Sequence, residues 1–315
     1  MATIAWIGLG NMGGPMTANL VAAGHDVVGF DLDARATDAA AERGVRVAAS
    51  VAEAVSAADA VFTMLPKGSH VRDVYEGDGG VWANAPATAL LLDSSTVDIE
   101  TSRWCHEGSA ERGFRFVDAP VSGGISGAAA GTLTFMLGGS EADVAEATRL
   151  VDPMAGNTFA VGGPTMGIAA KLANNMMLFI SLVAAAEGSQ LAASLGLDAK
   201  TFWDVARVSS ADSWAVRTWY PVPGITESAA ANHNFDATFA TTLALKDVAL
   251  ALEAGENAGL SLPAAALARD QFERLIEEGL GGKDCSLIAK YASADGRVAG
   301  FEPEPEPEPA EQPAA

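Results

Sequence analysis

Short apolar runs alternate with longer stretches of helical periodicity through the first half of the chain. Thr3–Ile7 and Asp26–Phe30 have the length and apolar content of buried strands, and residues 12–23 between them predict a helix that Gly24 ends. The same alternation of strand and helix continues to residue 163. It is typical of a doubly wound parallel sheet, so we predict an α/β domain at residues 1–163.

Three loops of this domain are predicted beyond the carboxyl ends of strands, where ligands bind in doubly wound sheets. They contain Leu65-Pro66, Ser95-Thr96 and residues 119–124. In residues 119–124, Ala-Pro-Val-Ser-Gly-Gly, small side chains would let backbone N–H groups reach a carboxylate, with the Ser122 hydroxyl as a further donor. A plain glycine turn explains that pattern equally well. The predicted helices are 34–43, 69–75, 99–112 and 141–154, and the predicted strands are 60–64, 90–93, 114–118, 132–137 and 158–161.

Strand patterning disappears after Gly162-Gly163-Pro164, and residues 165–195 predict one long helix between two domains. Its apolar residues lie on nearly every side, which predicts a helix enclosed by other protein. The uninterrupted apolar part, residues 176–186, is far short of the roughly 20 residues that a bilayer span needs, which favours a core helix over a membrane anchor. Lys171 and Asn175 are four residues apart and therefore share one face. From this segment alone, a lysine that extends its amine to solvent is a commoner explanation than a catalyst.

Further helices predict an all-α second domain at residues 164–298. These helices are expected at 198–207, 241–258 and 263–278. Trp214, before an aromatic and proline-rich loop, is by default core filling, and Lys246-Asp247 is by default a solvated pair. Residues 299–315 are rich in Glu and Pro, a composition that predicts a disordered tail.

A glycine turn joins the first predicted strand to the first helix. In it Gly8 permits a tight turn, Gly10 lets the backbone approach a pyrophosphate, and Gly13 lets helix and strand pack closely. The second strand ends in Asp31, close to the spacing at which an acid hydrogen-bonds the adenine-side ribose, so we predict a Rossmann-type dinucleotide-binding domain. Asp31 would repel a 2′-phosphate, which favours NAD over NADP, although Arg35 nearby leaves NADP open. The turn reads Gly8, Leu9, Gly10, Asn11, Met12, Gly13.

Charge and cysteine content restrict the possible partners and the compartment. The 315 residues include 19 Lys+Arg and 40 Asp+Glu, for a formal net charge of -21, which would repel a nucleic-acid backbone. Cys105 and Cys285 are far apart, and the four histidines are scattered without metal-site spacing. The first basic residue is Arg35, so no secretion signal is indicated. We expect a cytoplasmic, metal-free protein that binds neither nucleic acid nor membrane.

Four motifs follow one another along the chain. They are residues 8–13 with Pro15-Met16 and Asn19-Leu20, residues 118–124 with 131–134, Gly167 with Lys171 and Asn174-Asn175, and Lys246-Asp247. These motifs resemble those of the β-hydroxyacid dehydrogenase family, and within it the 3-hydroxyisobutyrate dehydrogenases. The resemblance covers the chain up to the tail, with all four motifs in the family's order.

The resemblance implies NAD-dependent oxidation of 3-hydroxyisobutyrate to methylmalonate semialdehyde, a step of valine catabolism. It implies that Lys171 is the catalytic acid/base, oriented by Asn175, and that a low amine pKa in its apolar helix would suit that task. Substrate contacts are implied for Ser122, Gly123, Gly124, Asn175, Trp214 and Asp247. Cofactor contacts are implied for residues 8–13, Asp31, Leu65, Pro66 and Thr96, and for Lys246 from the second domain.

Other functions and the assembly state remain open. Tartronate semialdehyde reductases retain the catalytic lysine and are an alternative, as are serine dehydrogenases, whereas imine reductases of similar architecture lack the lysine. A non-catalytic dinucleotide-binding module would not need both Lys171 and the Ser122-Gly123 loop. The long helix and the second domain contain more apolar surface than a monomer of this size can hide, so we predict a homodimer or homotetramer.

Overall fold

The computed structural model describes residues 1–303, so the predicted tail from residue 304 onward lies outside the described residues. Packing divides the chain into two compact units. The first contains Met1–Met177 and Asp247–Leu262, and the second contains Leu178–Lys246 and the chain from Pro263. The domain boundary predicted from the sequence between residues 163 and 164 stays a prediction.

A nine-stranded sheet forms the first unit and confirms the predicted α/β class. Its strand order is β3-β2-β1-β4-β5-β6-β8-β7, with β9 paired to β8. The first six strands are parallel, β8 runs antiparallel to β6 and β7, and β9 runs parallel to β8. The strands are β1 Thr3–Ile7, β2 Asp26–Phe30, β3 Arg46–Val47, β4 Ala60–Thr63, β5 Leu90–Asp93, β6 Arg115–Asp118, β7 Val121–Ser122, β8 Leu133–Gly138 and β9 Ala155–Gly162.

Side-chain caps set the starts of several helices. Asp33, Ser50, Asp98 and Ser140 each accept a hydrogen bond from a backbone N–H two or three residues further on. The helices of the sheet-bearing region are α1 Gly13–Ala22, α2 Ala34–Ala41, α3 Val51–Val55, α4 Gly68–Tyr75, α5 Val81–Asn84, α6 Ile99–Glu111, α7 Gly124–Ala130 and α8 Glu141–Val151. Those that follow are α9 Met166–Ser194, α10 Ala199–Ala206, α11 Trp214–Thr218, α12 Thr241–Asn257 and α13 Pro263–Glu277.

Several short elements differ from the prediction. The sequence reading missed β3, α3 and α5, which contain two, five and four residues and are too short to show a period. Residues 119–124 are not a plain glycine turn, because β7 pairs with β8 and α7 begins at Gly124. Helix α8 stops at Val151 and a 3₁₀ turn, Asp152–Met154, follows, since Pro153 cannot donate to the helix.

Alternating residues of the strands form two apolar layers, one on each face of the sheet. In β1, Ile4 and Trp6 face one layer, where the Trp6 ring stacks on Phe62 with centroids 4.9 Å apart. Ala5 and Ile7 face the other layer, which also contains Ile168, Leu172 and Ala251. The first turns of α9 are therefore part of the core of the first unit.

The second unit is helical, as predicted, with two isolated β-bridges. The fully buried Phe179 contacts Phe239 and Phe272 at centroid distances of 5.7 and 5.3 Å. Asp284 is fully buried and accepts hydrogen bonds from the backbone and hydroxyl of Thr238, from the Phe239 N–H and from Ser286. These bonds hold the segment that carries Phe239 against the chain near residue 284.

Helix α9 is less enclosed than its composition predicted. Met177 and Leu191 in the helix are exposed by 65% and 63%, and Leu195 just after it is exposed by 78%. Of the residues described, α9 alone is long and apolar enough to cross a membrane, with a mean hydropathy of 1.6 over 18 residues, and 44% of that window is buried. The length of residues 176–186 therefore does not exclude a membrane span, because the whole helix is long and apolar enough, but a buried core helix passes the same test. A core role is favoured instead by the buried polar contacts of Lys171 and Asn175.

Candidate active site

The glycine turn after β1 has the geometry that a dinucleotide needs. Gly8 has φ +101°, and a Cβ there would lie 2.3 Å from the Met64 carbonyl oxygen. A Cβ on Gly13 would lie 1.9 Å from the Gly8 carbonyl oxygen, so strand and helix are in backbone contact. A Cβ on Gly10 would meet no protein atom within 4 Å, so the surface there is open to a pyrophosphate. The residues present therefore fit a dinucleotide; the rest of the turn is Leu9, Asn11 and Met12.

Asp31 lies beside this turn at the end of β2. Its Oδ2 accepts a hydrogen bond from the Leu9 N–H at 2.7 Å, and its Oδ1 accepts one from the Asp33 N–H at 2.9 Å. Arg35 pairs with Asp33 at 3.4 Å, and hydrogen bonds from the Arg35 backbone and side chain hold the pKa of Asp33 below its ordinary value. The Arg35 guanidinium, for which NADP was left open, contacts Asp33 but remains 93% exposed.

A hydrogen-bond network joins the loops that follow β4 and β5. The Leu65 N–H donates to Ser95 Oγ at 2.8 Å, and the Ser95 N–H donates to Asp93 Oδ1 at 3.1 Å. The Thr63 hydroxyl also donates to Asp93 Oδ1, at 2.7 Å. Asp93 is buried, and this burial raises the pKa of its carboxyl to about 6. Leu65-Pro66 and Ser95-Thr96 thus lie at the same edge of the sheet, as predicted.

Lys171 brings an amine to the loop after β6. Its Nζ donates to the Val121 carbonyl oxygen at 2.7 Å, and the residue is 8% exposed. Val121 and Ser122 form β7, and Gly123 and Gly124, with φ +133° and +65°, turn the chain into α7. The structure therefore brings Lys171 to the base of the Ser122-Gly123-Gly124 loop.

Asn175 lies one turn further along α9 and is also buried. Its Nδ2 donates to Asp247 Oδ2 at 2.7 Å, and its Oδ1 accepts from Asn174 Nδ2 at 3.1 Å. Asp247 is 3% exposed, so the default of a solvated Lys246-Asp247 pair was wrong for the aspartate. An amide held between a carboxylate and a second amide has a fixed orientation, which suits a group that directs a ligand.

Trp214 and Lys246 belong to the second unit. Trp214 is 43% exposed, begins α11 and meets the Trp219 ring edge-on at 5.0 Å, so the default of core filling was wrong. The Trp219 Nε1 donates to Thr238 Oγ1 at 3.0 Å, which fixes its ring in place. Lys246 is partly buried within α12.

Asp118 and His106 form a buried pair that the sequence analysis did not single out. His106 Nε2 lies 2.8 Å from Asp118 Oδ1, and the two side chains are 10% and 4% exposed. Asp118 ends β6 and begins the motif at residues 118–124, a position that could have drawn attention to it. Over residues 1–303, no three His, Cys, Asp or Glu side chains are grouped as metal ligands. Cys105 and Cys285 are buried.

Two family models together match most of the described chain. Residues 3–163 match the NAD-binding domain of 6-phosphogluconate dehydrogenase, and residues 165–292 match the NAD-binding domain of NADP-dependent 3-hydroxyisobutyrate dehydrogenase. The two matches meet at the start of α9 and thus include both the glycine turn and Lys171.

Similar proteins carry two different substrate names. A probable 3-hydroxyisobutyrate dehydrogenase of Mycobacterium tuberculosis is 44% identical over 278 residues, 88% of this chain and 94% of that protein. An NAD-dependent L-serine dehydrogenase of Pseudomonas aeruginosa is 39% identical over 290 residues, 92% of this chain and 97% of that protein. The solved structure of Mycobacterium tuberculosis 3-hydroxyisobutyrate dehydrogenase with L-serine has a TM-score of 0.86 at 42% identity, covering 93% of this chain and 100% of that one.

Proposed function

The chain belongs to the 3-hydroxyisobutyrate dehydrogenase family, and on that premise we propose that it oxidises 3-hydroxyisobutyrate to methylmalonate semialdehyde with NAD. The family is one of NAD-binding hydroxyacid dehydrogenases, so the chain is an oxidoreductase. The proposed reaction would serve valine catabolism in a reducing compartment such as the cytoplasm, where buried thiols such as Cys105 persist.

The observation that carries this proposal is the buried Lys171 amine at the Ser122-Gly123-Gly124 loop. Removing hydride from the CH–OH carbon requires the hydroxyl proton to leave as well, so an acceptor must lie at the substrate oxygen. A lysine amine can donate to the Val121 carbonyl in either protonation state. That bond would fix Nζ while leaving it able to take the hydroxyl proton, and the ammonium would polarise the carbonyl in the reverse direction.

The other residues would hold the two ligands around that amine. The glycine turn and Asp31 would hold the pyrophosphate and the adenine-side ribose, with Leu65, Pro66 and Thr96 at the same edge of the sheet. NAD, when bound, supplies the hydride acceptor. The Ser122 hydroxyl and the backbone N–H groups after it would receive the substrate carboxylate, and Asn175, held by Asp247, would orient the hydroxyl.

L-Serine is the second candidate substrate, because it is the substrate in the name of a relative that covers nearly the whole chain. Both compounds are small acids with a primary hydroxyl at C3. They differ at C2, where 3-hydroxyisobutyrate has a methyl group and serine has an ammonium group. The choice therefore depends on whether the pocket around C2 is apolar or offers an acceptor for the ammonium.

Initial-rate assays with a substrate panel test the proposal. 3-Hydroxyisobutyrate, L-serine, D-glycerate and 3-hydroxypropionate are each paired with NAD and with NADP. We expect the highest kcat/KM for 3-hydroxyisobutyrate with NAD. A higher value for L-serine would replace the substrate, a higher value for D-glycerate would favour the tartronate semialdehyde reductase alternative, and NADH binding without turnover would favour a non-catalytic module.

A further inference from the structure

The Asp118 carboxylate accepts hydrogen bonds from backbone N–H groups at the start of α9. Its Oδ1 accepts from the Thr165 N–H at 3.1 Å, and its Oδ2 accepts from the Ile168 N–H at 2.8 Å. These N–H groups belong to the start of the helix, where the helix itself provides no acceptor. His106 makes the third contact, with Nε2 2.8 Å from Asp118 Oδ1, and the Nε2–H tautomer of the imidazole would donate to the carboxylate.

Backbone contacts bring the first turn of α9 against the ends of β6 and β8. A Cβ on Gly167 would lie 2.5 Å from the carbonyl oxygens of Asp118 and Met136. A Cβ on Gly138 would lie 2.5 Å from the Gly167 backbone nitrogen and 2.6 Å from Asp118 Oδ1. Thr165, just before the helix, has φ +70°, a left-handed conformation that a threonine adopts only under constraint. The position of this turn is therefore held by the surrounding contacts rather than by local preference.

The same turn determines where Lys171 lies. Lys171 is four residues after Gly167, so it projects from the same face of α9 one turn further on. Its Nζ meets the carbonyl of Val121, which is three residues after Asp118 in the chain. Asp118 thus begins the loop that Lys171 contacts, and it also bonds to the helix that carries Lys171. Asp118, Val121, Lys171 and Ile168 therefore form a closed ring, joined by two hydrogen bonds and by the chain between the paired residues.

We propose that Asp118, held in place by His106, is a positioning residue that sets Lys171 against the Ser122-Gly123-Gly124 loop. The inference rests on the proposed function, because only catalysis by Lys171 makes its placement matter for turnover. The position of Lys171 can also be tested without turnover, through the chemical accessibility of its amine. Asp118 touches neither ligand in this proposal and is not a catalytic residue.

The test replaces Asp118 by asparagine. Three donors converge on the carboxylate, so the asparagine NH₂ must face at least one of them, and the charge at the helix start is lost. The matched control is Asp198→Asn, since Asp198 caps α10 in the second unit by accepting from the backbone and hydroxyl of Thr201. Val151→Ala, in the core of the first unit, controls for a general loss of stability.

Two readouts are compared in all variants. The first is acetylation of Lys171 by N-hydroxysuccinimidyl acetate, measured by peptide mass spectrometry relative to the exposed Lys67 in the same sample. We expect Asp118→Asn to raise the Lys171:Lys67 ratio by roughly an order of magnitude through local opening of the helix start. The second readout is kcat together with the Kd for NADH, and we expect kcat to fall at least roughly tenfold while the Kd stays within about threefold.

His106→Leu is the second variant, because it removes one of the three bonds and keeps the carboxylate. It should change both readouts in the same direction by less, and His106→Gln, which retains a donor, should restore most of the loss. An unchanged Lys171:Lys67 ratio in both Asp118→Asn and His106→Leu overturns the proposal, as does an equal rise in Val151→Ala. If the wild type oxidises none of the 3-hydroxy acids, the proposed function fails, and the acetylation ratio alone still decides the positioning role.

Discussion

Lys171 has its amine in a buried part of the first unit. The residue is 8% exposed and lies in a helix rich in alanine and leucine, where alanine would fit without strain. Burial of an ionisable group beside a loop of glycines and a serine supports the proposal that Lys171 is catalytic.

Lys171→Ala is therefore the most direct test of the chemistry. We expect kcat to fall by at least roughly 10²–10⁴-fold, because the substrate hydroxyl loses its proton acceptor. The Kd for NADH, measured by fluorescence titration, should stay within a few-fold, since Asp31 bonds to the glycine turn at Leu9 and neither includes Lys171. Lys171→Arg should not restore activity, because guanidinium stays protonated and is planar. Near wild-type turnover of Lys171→Ala would end the assignment.

Asp31 carries the expected preference for NAD. Its carboxylate lies beside the glycine turn, and the Arg35 guanidinium nearby is paired with Asp33. We expect at least a tenfold advantage of NAD over NADP in kcat/KM, about 1.4 kcal/mol, because the carboxylate would repel a 2′-phosphate. Asp31→Ser should narrow that ratio, which parallel initial-rate assays with the two cofactors measure. Equal use of both by the wild type would contradict this prediction.

Asp93 makes the stability of the first unit depend on pH. Its folded-state pKa, raised by burial to about 6, lies above the ordinary value of 3.8, so the folded protein holds a proton that the unfolded chain has already lost. This stabilisation is complete below the ordinary value and is lost as the pH rises through 6.

Urea unfolding of wild type and Asp93→Asn at pH 5 and pH 8 tests this expectation. The free energy of unfolding of the wild type should decline relative to that of the variant by about 1 kcal/mol between the two pH values, since asparagine does not titrate. Subtracting the free energy of unfolding of the variant from that of the wild type removes the contributions of the other titrating groups. An equal difference at both pH values would mean that Asp93 is not the group responsible.

At the scale of elements, long elements with a clear period were predictable and short ones were not. Asp26–Phe30 and Leu90–Asp93 were placed with their observed bounds, because buried strands of parallel sheets are continuous apolar runs. Helix α11 was missed because five residues are too few to show a helical period. Its start is marked only by a cap, in which Ser213 Oγ accepts a hydrogen bond from the Val216 N–H. That serine was a readable signal, whereas β7 exists only because β8 lies beside it.

The first turn of α9 gives a prediction that opposes helix propensity. Alanine normally stabilises a helix relative to glycine by roughly 1 kcal/mol, but Gly167→Ala would place a Cβ against two carbonyl oxygens. We therefore expect a loss of about 1–3 kcal/mol in the free energy of unfolding, measured by urea denaturation. Gly163→Ala is the matched control, because a Cβ there meets nothing within 4 Å. A stabilised Gly167→Ala variant would mean that α9 does not approach the sheet so closely.

At the scale of the whole molecule, the candidate site joins segments that sequence order keeps apart. The glycine turn and Asp31 were predictable because their spacing is local. The contact between Asn175 and Asp247 spans 72 residues and has no local pattern. The closure of Asp118 on Ile168 spans 50 residues, and it too depends on how α9 packs against β6. The order of the motifs suggested that these segments share one site. Their individual contacts could be found only from the packed structure.

The exposed apolar residues of the second unit support the prediction of a homo-oligomer. Leu191 and Leu195, near the end of α9, are 63% and 78% exposed, and Val205 and Val208, on and just after α10, are 53% and 72% exposed. Several large apolar side chains so close together in the chain are costly to leave in water, and a second copy of the chain would cover them.

Light scattering after size exclusion at micromolar concentration measures the assembly state. We expect at least a dimer for the wild type, and a monomer for Leu191→Glu combined with Leu195→Glu, because burying two carboxylates at an apolar interface costs more than the interface contributes. Leu260→Glu is the control, since Leu260 is 62% exposed in the first unit and should leave the assembly unchanged. A monomeric wild type would contradict the prediction, and dissociation by Leu260→Glu would move the interface to the first unit. Truncation after residue 303 should not alter the number of subunits, because a Glu-Pro-rich segment cannot form an apolar interface.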